Sequence, residues 1–548
     1  MSSARLRRIL FVCLSFGLLV PAVPGARATS STSAELACSL PREQLLRIWR
    51  GVDPGRSGEI QIVPQQPNFV NGGLSHAGPW PYVQDVPMLW YGPGYIRPGT
   101  IQRPVTEADV APTEAALLDF HEFHAPDGHP MTEALLPATQ RSQPPALVVT
   151  LVWDAGGWDV LNAWKREWPY LRSLMSQGAL YVHATSGSSP SNTPPIHATI
   201  GTGAFPFRNG IADDYARIAG IIRKPYENGP GVLMEPTLAD LYDRAMGNRP
   251  IVGAVATLDA HLGMLGHGSL WGGGDRDIAV TREVTGAGTA GAEGFRWNLS
   301  PAMSAYYRLP NYVNDVPGFA QDLAALDRAD GAVDGMWRTN PISQLNQGFN
   351  TPARTPYQTR LIEQIVTREG FGNDSVPDLL YLNYKAIDTV GHIFSLNSPE
   401  MKDTVAIQDQ NLKVLVDFLN QQVGRGRWVM VLTADHGHQF DPAVSGAFLI
   451  GIDQLAADIE KEFDSDSDNV PVVQKVRTTQ IWIDKAELAQ NGHTLDQVAQ
   501  FISQLTQADT VKPTGTIQPG HANDRVFAAA FPTSILTSLP CLDGVRRG

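Results

Sequence analysis

The stretch Ala146-Leu147-Val148-Val149-Thr150-Leu151-Val152-Trp153 runs without a break into Asp154-Ala155-Gly156-Gly157. Two later stretches are built the same way. Leu379-Leu380-Tyr381-Leu382-Asn383-Tyr384 leads into Lys385-Ala386-Ile387-Asp388-Thr389-Val390-Gly391-His392. Trp428-Val429-Met430-Val431-Leu432-Thr433-Ala434 stops at Asp435-His436-Gly437. Apolar runs that do not alternate read as strands buried on both faces of a parallel sheet. Helical patterns lie between them, as over Asp403 to Leu419. The fold class that follows is α/β, with a mostly parallel central sheet. In such sheets the chemistry gathers outside the carboxyl ends of the strands. Each aspartate alone is an ordinary turn residue, but three at three strand ends converge on one edge.

Crowded carboxylates repel, and each has its pKa raised unless a cation sits among them. The neighbouring histidines supply neutral nitrogen, and a mixture of Asp and His suits Zn²⁺ without any thiolate. Asp388 and His392, four apart, fall on one side of a turn or short helix. Asp435 and His436 are adjacent, which fits a strand end where the chain bends. Metal-assisted hydrolysis is the chemistry implied. A nucleophile candidate lies in Ser191-Asn192-Thr193-Pro194-Pro195-Ile196-His197, which reads as a loop entering a helix. Thr193 has an N-cap residue type, and Pro194 sits at the first helical position, where its missing N–H costs nothing. A hydroxyl there faces the positive end of the helix dipole, where a phosphate is favourably held. An ordinary capped helix is the competing reading.

The chain has 548 residues, enough for one large α/β enzyme with inserts or for three domains of roughly 150 residues. With 43% hydrophobic and 18% charged residues, 41 Pro and 51 Gly, it is globular and loop-rich. That excludes coiled coil, collagen and wholesale disorder. A net charge of −13 leaves no basic field for nucleic acid or an anionic membrane surface. Arg5, Arg7 and Arg8 precede the apolar run Ile9 to Val23, and Ala26-Arg27-Ala28 is a small-x-small cleavage site. Residues 1–28 therefore read as a secretory signal peptide whose core is too short to span a bilayer. No later segment is long and apolar enough to span one either. Cleavage leaves 38 basic residues against 55 acidic ones, a net charge of −17. An exported, soluble product is expected. Cys13 leaves with the signal, so Cys38 and Cys541 remain in an oxidising compartment, where a disulfide is the default reading.

Taken together, Asp154-Ala155-Gly156-Gly157, Thr193-x-Pro195-x-His197, Asp388-x-x-x-His392 and Asp435-His436-Gly437 resemble the motifs of the alkaline phosphatase superfamily. The resemblance is to its nucleotide pyrophosphatase/phosphodiesterase branch and the related phosphate-irrepressible bacterial alkaline phosphatases. It implies an alkaline-phosphatase-like three-layer sandwich holding two Zn²⁺. Asp154, Thr193, Asp435 and His436 would hold one zinc and Asp388 and His392 the other, with Thr193 as nucleophile. The family places a further His on the second zinc, well after the Asp-His-Gly motif. Downstream of His436 lie His438, His493 and His521. His493 begins a helix with the capping box Thr494-Leu495-Asp496-Gln497, and His521 stands in a loop without a matching sequel. The matching segment comes early instead, as Gly73-Leu74-Ser75-His76-Ala77-Gly78, then Asp85 to Gly94 and Glu107 to Thr113.

The resemblance therefore implies a circular permutant, with His76 as the missing ligand. Permutation is tolerated when the parental termini are close and the new ones exposed. On this reading residues 29–124 are the permuted C-terminal part, 125–146 a Pro-rich linker and 147–445 the main catalytic domain. Residues 215–375, carrying Trp271, Trp297 and Trp337, form a cap insertion facing substrate. Residues 446–548 form a small appended α/β lobe and tail, with a period-two pattern over Val472 to Ile483. A Cys38–Cys541 disulfide would bridge the break in the parental order.

Two departures concern the substrate. Asp214, beside Asp213, stands where the family has an Asn that meets phosphate. An ionised carboxylate would repel a phosphate oxygen, so it must be protonated, turned away or paired with a cationic substrate group. Thr257-Leu258-Asp259-Ala260-His261 is nearest to the segment that carries the Lys and Arg of monoesterases, and has neither. Asp214 and His261 are the residues expected at the substrate, and a diester, phosphonate or less charged substrate is favoured. The expected function is a secreted two-metal hydrolase of small-molecule phosphate esters acting through a phosphothreonine intermediate. The alternatives are a sulfatase or phosphonate hydrolase of the superfamily, or a secreted metal-binding member without turnover. A sulfatase needs Cys or Ser in Cys-x-Pro-x-Arg, where this chain has Thr193-Pro194-Pro195-Ile196-His197. Nothing in the sequence speaks to oligomeric state.

Overall fold

A computed structural model of the protein describes residues 32–543, apart from 72, 142, 272–274, 285–294, 467, 511–516 and 518. The predicted signal peptide lies outside the described residues. The strands that matter here are β1 (Ile60–Pro64), β2 (Asp85–Tyr91), β3 (Leu147–Trp153), β4 (Ala179–Thr185), β5 (Val252–Val255), β6 (Ile278–Val284), β7 (Asp378–Tyr384) and β8 (Trp428–Thr433). All but β1 belong to a ten-stranded sheet whose middle runs β6-β5-β7-β3-β8 in parallel. The three strands expected from their apolar runs are the adjacent trio at its centre. β2 lies antiparallel between β8 and β4.

These runs do not alternate because both faces of the sheet are covered. Leu147, Val149, Leu151 and Trp153 of β3 point into one core, and Val148 and Val152 into the other. Register then fixes the site. β3 pairs with β7 as far as Trp153↔Tyr384 and with β8 as far as Val152↔Thr433. Continuing that register, Asp154, Lys385 and, one residue past Ala434, Asp435 leave the sheet side by side. The helix α1 (Val110–Leu117) and the helices α2 (Thr193–Thr202), α3 (Arg354–Glu369), α4 (Ala386–Phe394) and α5 (Pro399–Leu419) pack around this sheet. α5 covers the predicted Asp403–Leu419 and begins a turn earlier, where the Ser398 hydroxyl accepts from Met401 N at 3.1 Å.

Residues 215–375, expected as a cap, supply β5, β6 and α3 to the sandwich itself. Trp297 and Trp337 are buried in its core, while Trp271 is exposed. The four-residue β5 is too short an apolar run to announce a strand. A second, antiparallel sheet joins Val473–Val476, Gln480–Ile483, β1 and Phe527–Pro532. The lobe after residue 446 thus shares its sheet with an N-terminal strand. The Val472–Ile483 pattern is a hairpin, turned where Arg477 N donates to Gln480 O at 2.9 Å. Thr494 caps the following helix with the expected box. Residues 125–146 are packed down rather than loose, with Met131 and Ala134 fully buried and Asp127 accepting from Phe205 N at 2.8 Å. Cys38 and Cys541 are joined in a disulfide.

Two carboxyl groups pin the N-terminal segment to the sheet. Glu114 of α1 accepts a hydrogen bond from Thr150 in β3, and Glu107 accepts from Thr433 at the end of β8. Both are fully buried, and the second oxygen of each has no partner. Burial, only partly offset by these hydroxyls, pushes each up to about 8. A carboxyl whose folded pKa is raised holds a proton that the unfolded chain, titrating near 4.3, releases. Its contribution to stability is full below about 4.3 and is lost as pH rises towards 8. Glu114→Gln stays neutral throughout. Thermal unfolding is expected to show the variant near wild type at pH 5 and roughly 2 to 4 kcal/mol more stable relative to wild type at pH 9. The same difference at both pH values would contradict this account.

Candidate active site

The turn after β3 is shaped to deliver Asp154. Ala155 sits at φ 59°, and its N–H donates to Asp435 Oδ1 at 3.0 Å. A Cβ on Gly157 would fall 2.6 Å from Gly437 Cα, so the two loops touch at their glycines. That contact is why the Asp-Ala-Gly-Gly stretch needs Gly157, while a Cβ on Gly437 of the Asp-His-Gly stretch would run into Tyr82 O. Asp388 and His392 lie on one side of α4, as their spacing requires. His392 donates from Nδ1 to Leu74 O at 2.8 Å, which leaves Nε2 facing Asp388 Oδ1 at 3.3 Å. His76 approaches the same oxygen at 3.5 Å and stacks on His436 with ring centroids 3.6 Å apart.

His436 donates from Nδ1 to Gly437 O at 2.8 Å, so its Nε2 lone pair points among the carboxylates. That nitrogen is 3.3 Å from Asp435 Oδ2 and 3.7 Å from Asp154 Oδ1. Thr193 opens α2, and its hydroxyl is 3.0 Å from Lys385 Nζ. The ammonium also lies 2.8 Å from Asp154 Oδ1 and 2.8 Å from Asp388 Oδ2. The seven residues expected at the centre, His76, Asp154, Thr193, Asp388, His392, Asp435 and His436, are thus brought together. α2 begins one residue earlier than the spacing predicts, with Asn192 in the cap position. The Asn192 amide donates instead to Asp213 at 2.7 Å.

Lys385 dominates the electrostatics. Burial opposes charge on Asp154 and Asp388, yet the ammonium beside them holds both well below the usual carboxylate range. Asp435 is pushed well up, by burial and by Asp154. Burial pulls His76 and His436 down and keeps them neutral. One ammonium among three carboxylates leaves room for further positive charge. Asp388 Oδ1, Asp435 Oδ2 and His436 Nε2 are buried without a hydrogen-bond partner. Oxygen and neutral imidazole nitrogen converging in this way fit a divalent metal of the zinc kind.

His197 and His261 also crowd Asp154, but their hydrogen bonds give them another task. Nδ1 of His261 accepts from Leu258 N at 2.9 Å and Thr257 N at 3.3 Å, so its proton is on Nε2, which donates to Asp154 Oδ2 at 3.2 Å. His197 donates from Nδ1 to Thr193 O at 2.8 Å and accepts from Asn383 at 3.0 Å. Both orient their neighbours from behind. His261, expected at the substrate, is fully buried behind Asp154 because two backbone N–H groups fix its ring. Asp214 is paired with Arg477 from the lobe hairpin. Its partner is therefore the protein's own cation, which lies 263 residues away and could not be placed from sequence. His521 is exposed on Asp524, and His493 packs on Phe463, both apart from the centre.

Sequence reasoning missed Lys385 and His438. A lysine three residues before Asp388, at the end of a strand buried on both faces, was the available sign of the first. His438 is buried, donates to Gln439 O at 3.2 Å, and is pushed down to about 3 by burial. Beside the centre opens a cavity of about 750 Å³, lined by Pro194, Tyr215, Lys224, Leu258, Arg282 and Arg477 among others.

The family model of type I phosphodiesterase / nucleotide pyrophosphatase matches residues 148–526. The chain belongs to this family. Among similar proteins, a calcium-transporting ATPase of Myroides odoratus is 23% identical over 354 residues, covering 56% of this chain and 62% of that protein. Alkaline phosphatase PafA of Elizabethkingia meningoseptica is 26% identical over 158 residues, 28% of this chain and 29% of that protein. The chain thus spans less than two thirds of the length of these relatives. The crystal structure of wild-type PafA superposes with a TM-score of 0.50 at 19% identity, over 71% of this chain and 84% of that one. The fold is alkaline-phosphatase-like, as the motifs implied.

Gly391 separates the ligand-bearing face of α4 from His438. A Cβ there would lie 2.6 Å from His438 Cδ2. Gly391→Ala is expected to cost about 1–3 kcal/mol of stability by overpacking and to reduce bound metal per chain as His392 is displaced. Calorimetric melting and elemental analysis read these; full metal content with an unchanged melting temperature would refute the packing argument.

Proposed function

We propose that the protein is an exported two-metal hydrolase of phosphate esters, phosphodiester or phosphomonoester, with Thr193 as its nucleophile. The observation that carries this reading is the Thr193 hydroxyl, held by Lys385 at the N-terminus of α2 within the buried Asp/His cluster. Asp154, Thr193, Asp435 and His436 would hold one Zn²⁺ and His76, Asp388 and His392 the other. When bound, the ions supply positive charge for the phosphoryl oxygens and favour ionisation of the attacking hydroxyl. Lys385 donates to Thr193 Oγ1 and keeps that oxygen fixed, and the dipole of α2 favours an anionic phosphoryl group before it. Thr193 Oγ, its proton given up to solvent, forms a bond to phosphorus as the ester oxygen leaves with its electron pair and takes up a proton from water. Water then breaks that bond, restoring the hydroxyl and releasing phosphate or its monoester. The leaving group occupies the cavity beside Pro194. Asp214, neutralised by Arg477, removes the repulsion a bare carboxylate would offer.

Permutation is part of this proposal. The family match begins at residue 148, yet His76 reaches the centre and β2 lies inside the main sheet. Residues 29–124 acting as the family's closing part account for both facts. The signal-like residues 1–28 and the Cys38–Cys541 bond support export, and no helix among the described residues is long and apolar enough to cross a membrane.

Thr193→Ala is expected to abolish turnover while the melting temperature stays near wild type, because loss of a covalent nucleophile costs orders of magnitude. A variant keeping more than about a tenth of the wild-type rate would remove Thr193 from that role. Zinc-loaded protein should hydrolyse p-nitrophenyl phosphate or bis-p-nitrophenyl phosphate and lose the activity to chelator. Turnover of neither ester by metal-replete protein would favour the binding-only alternative, and turnover of p-nitrophenyl sulfate instead would favour the sulfatase.

A further inference from the structure

Two guanidinium groups near the centre meet no carboxylate among the described residues. Arg354 is 2% exposed and opens the sixteen-residue α3, where the helix dipole disfavours a cation. Its terminal nitrogens meet only hydroxyls, Thr389 at 3.2 Å and Thr257 at 2.5 Å, and its buried Nε has no partner. Arg282, on β6, lines the cavity beside Pro194. Both guanidinium carbons lie 4.0 Å from the centroid of Phe349, so they are no more than about twice that distance apart. Neither arginine forms an ion pair with a described residue. Burial alone pulls Arg282 down to about 10. Burial and then Arg282 pull Arg354 down to about 9, with Asp154 and Asp388 opposing from beyond contact.

Packing on Phe349 does not offset this. A cation–π contact is weaker than the desolvation cost of a buried cation. Of the other charges of the cavity, the two aspartates are already engaged, and Lys224 and Glu227 are exposed at its rim. Asp214 is held by Arg477, and Asp259 accepts from the Thr281 hydroxyl at 3.0 Å. Arg282 faces the cavity with its fork hydrogen-bonded to no described residue, and Arg354 adds a second positive charge behind it. A guanidinium in that state matches the paired oxygens of a carboxylate or phosphate.

We propose that Arg282, backed by Arg354, forms an anion subsite of the cavity that receives a carboxylate or phosphate carried by the substrate beyond the phosphoryl group it loses. Placing the substrate's own tail there rests on the hydrolase reading above, whereas the affinity for an oxyanion does not. Arg282 is the contact residue and Arg354 a positioning residue that raises the local potential.

The test uses the full mature, zinc-loaded chain at pH 8. Calorimetry compares 4-hydroxyphenylacetate and 4-hydroxybenzylphosphonate with the neutral 4-hydroxyphenylacetamide. At least one of the two anions should bind tenfold or more tightly than the amide, and which of them does so identifies the oxyanion. Arg282→Gln should bring that ratio to about one, and Arg282→Lys should keep part of it; melting curves confirm that each variant folds. Should Arg282→Gln fail to fold, the Arg282→Lys ratio decides alone. In turnover, 4-(carboxymethyl)phenyl phosphate or 4-(phosphonomethyl)phenyl phosphate should exceed the carbamoylmethyl ester tenfold in kcat/KM. Equal binding of anions and amide, or an anion preference that survives both substitutions unchanged, overturns the subsite. An anion preference in binding without any turnover leaves the subsite standing and overturns the hydrolase reading. A preference in binding but none in the turnover of esters that are hydrolysed overturns the claim that the substrate's tail fills it.

Discussion

Three carboxylates crowded just beyond three adjacent, fully buried strands must be neutralised, and much of this structure follows from that need. Asp154, Asp388 and Asp435 are all 3% exposed or less. A buried carboxylate without a counter-charge takes up a proton, and a protonated carboxyl is a poor metal ligand. Lys385 prevents this for Asp154 and Asp388, which it bridges. The strand register makes the crowding unavoidable, because Asp154, Lys385 and Asp435 leave β3, β7 and β8 at one level. The site is a consequence of parallel pairing among strands too apolar to slip. A one-residue slip would exchange the side chains of β3 between its two cores.

The N-terminal segment completes what the central strands begin. His76 reaches Asp388 while the Ser191 hydroxyl, two residues before Thr193, donates to His76 O at 3.1 Å. Gln84 donates to Gly78 O at 2.9 Å and to Ser188 O at 2.8 Å, tying the His76 loop to the loop that precedes α2. Ser186 donates to Asp435 O at 2.6 Å. The backbone that bears Asp435 is thus held from the same side as the backbone that bears the Thr193 hydroxyl. Since β1 pairs into the lobe sheet and β2 into the main one, this segment also joins the two bodies of the protein. The disulfide closes the same assembly at its outer edge, where Leu45, Leu536 and Leu539 pack around the paired chain ends.

Where the sequence could be read, one local rule sufficed. β3, β7 and β8 announce themselves because burial on both faces leaves only apolar residues, and the aspartates stand out at their ends. Asp388 and His392 follow from helical spacing. His76 needed a resemblance between segments, since no spacing ties it to Asp388. What stayed hidden depends on distant chain meeting distant chain. Lys385 reads as a surface residue until Asp154 is known to lie beside it. Trp297 and Trp337 look like gripping residues because a large aromatic in a loop-rich stretch carries no mark of the core it fills. The fate of Asp214 was open for the same reason, as Arg477 lies on a hairpin turn in another sheet.

That pairing changes what the lobe is for. The Arg477 turn sits between two strands of the second sheet, and its side chain answers two adjacent aspartates, Asp213 at 4.0 Å as well as Asp214. Gln480, at the start of the next strand, donates to Asp213 at 2.8 Å and to Ala212 O at 3.4 Å. Asp213 in turn receives the Asn192 amide, next to Thr193. Two successive contacts, from Arg477 or Gln480 to Asp213 and from Asp213 to Asn192, therefore link a turn of the lobe to the residue preceding Thr193. In this chain an acidic pair next to the site and a basic turn in the lobe are two halves of one feature. The lobe is then part of the site's architecture, because without Arg477 the two carboxylates would face each other uncompensated beside the Thr193 loop.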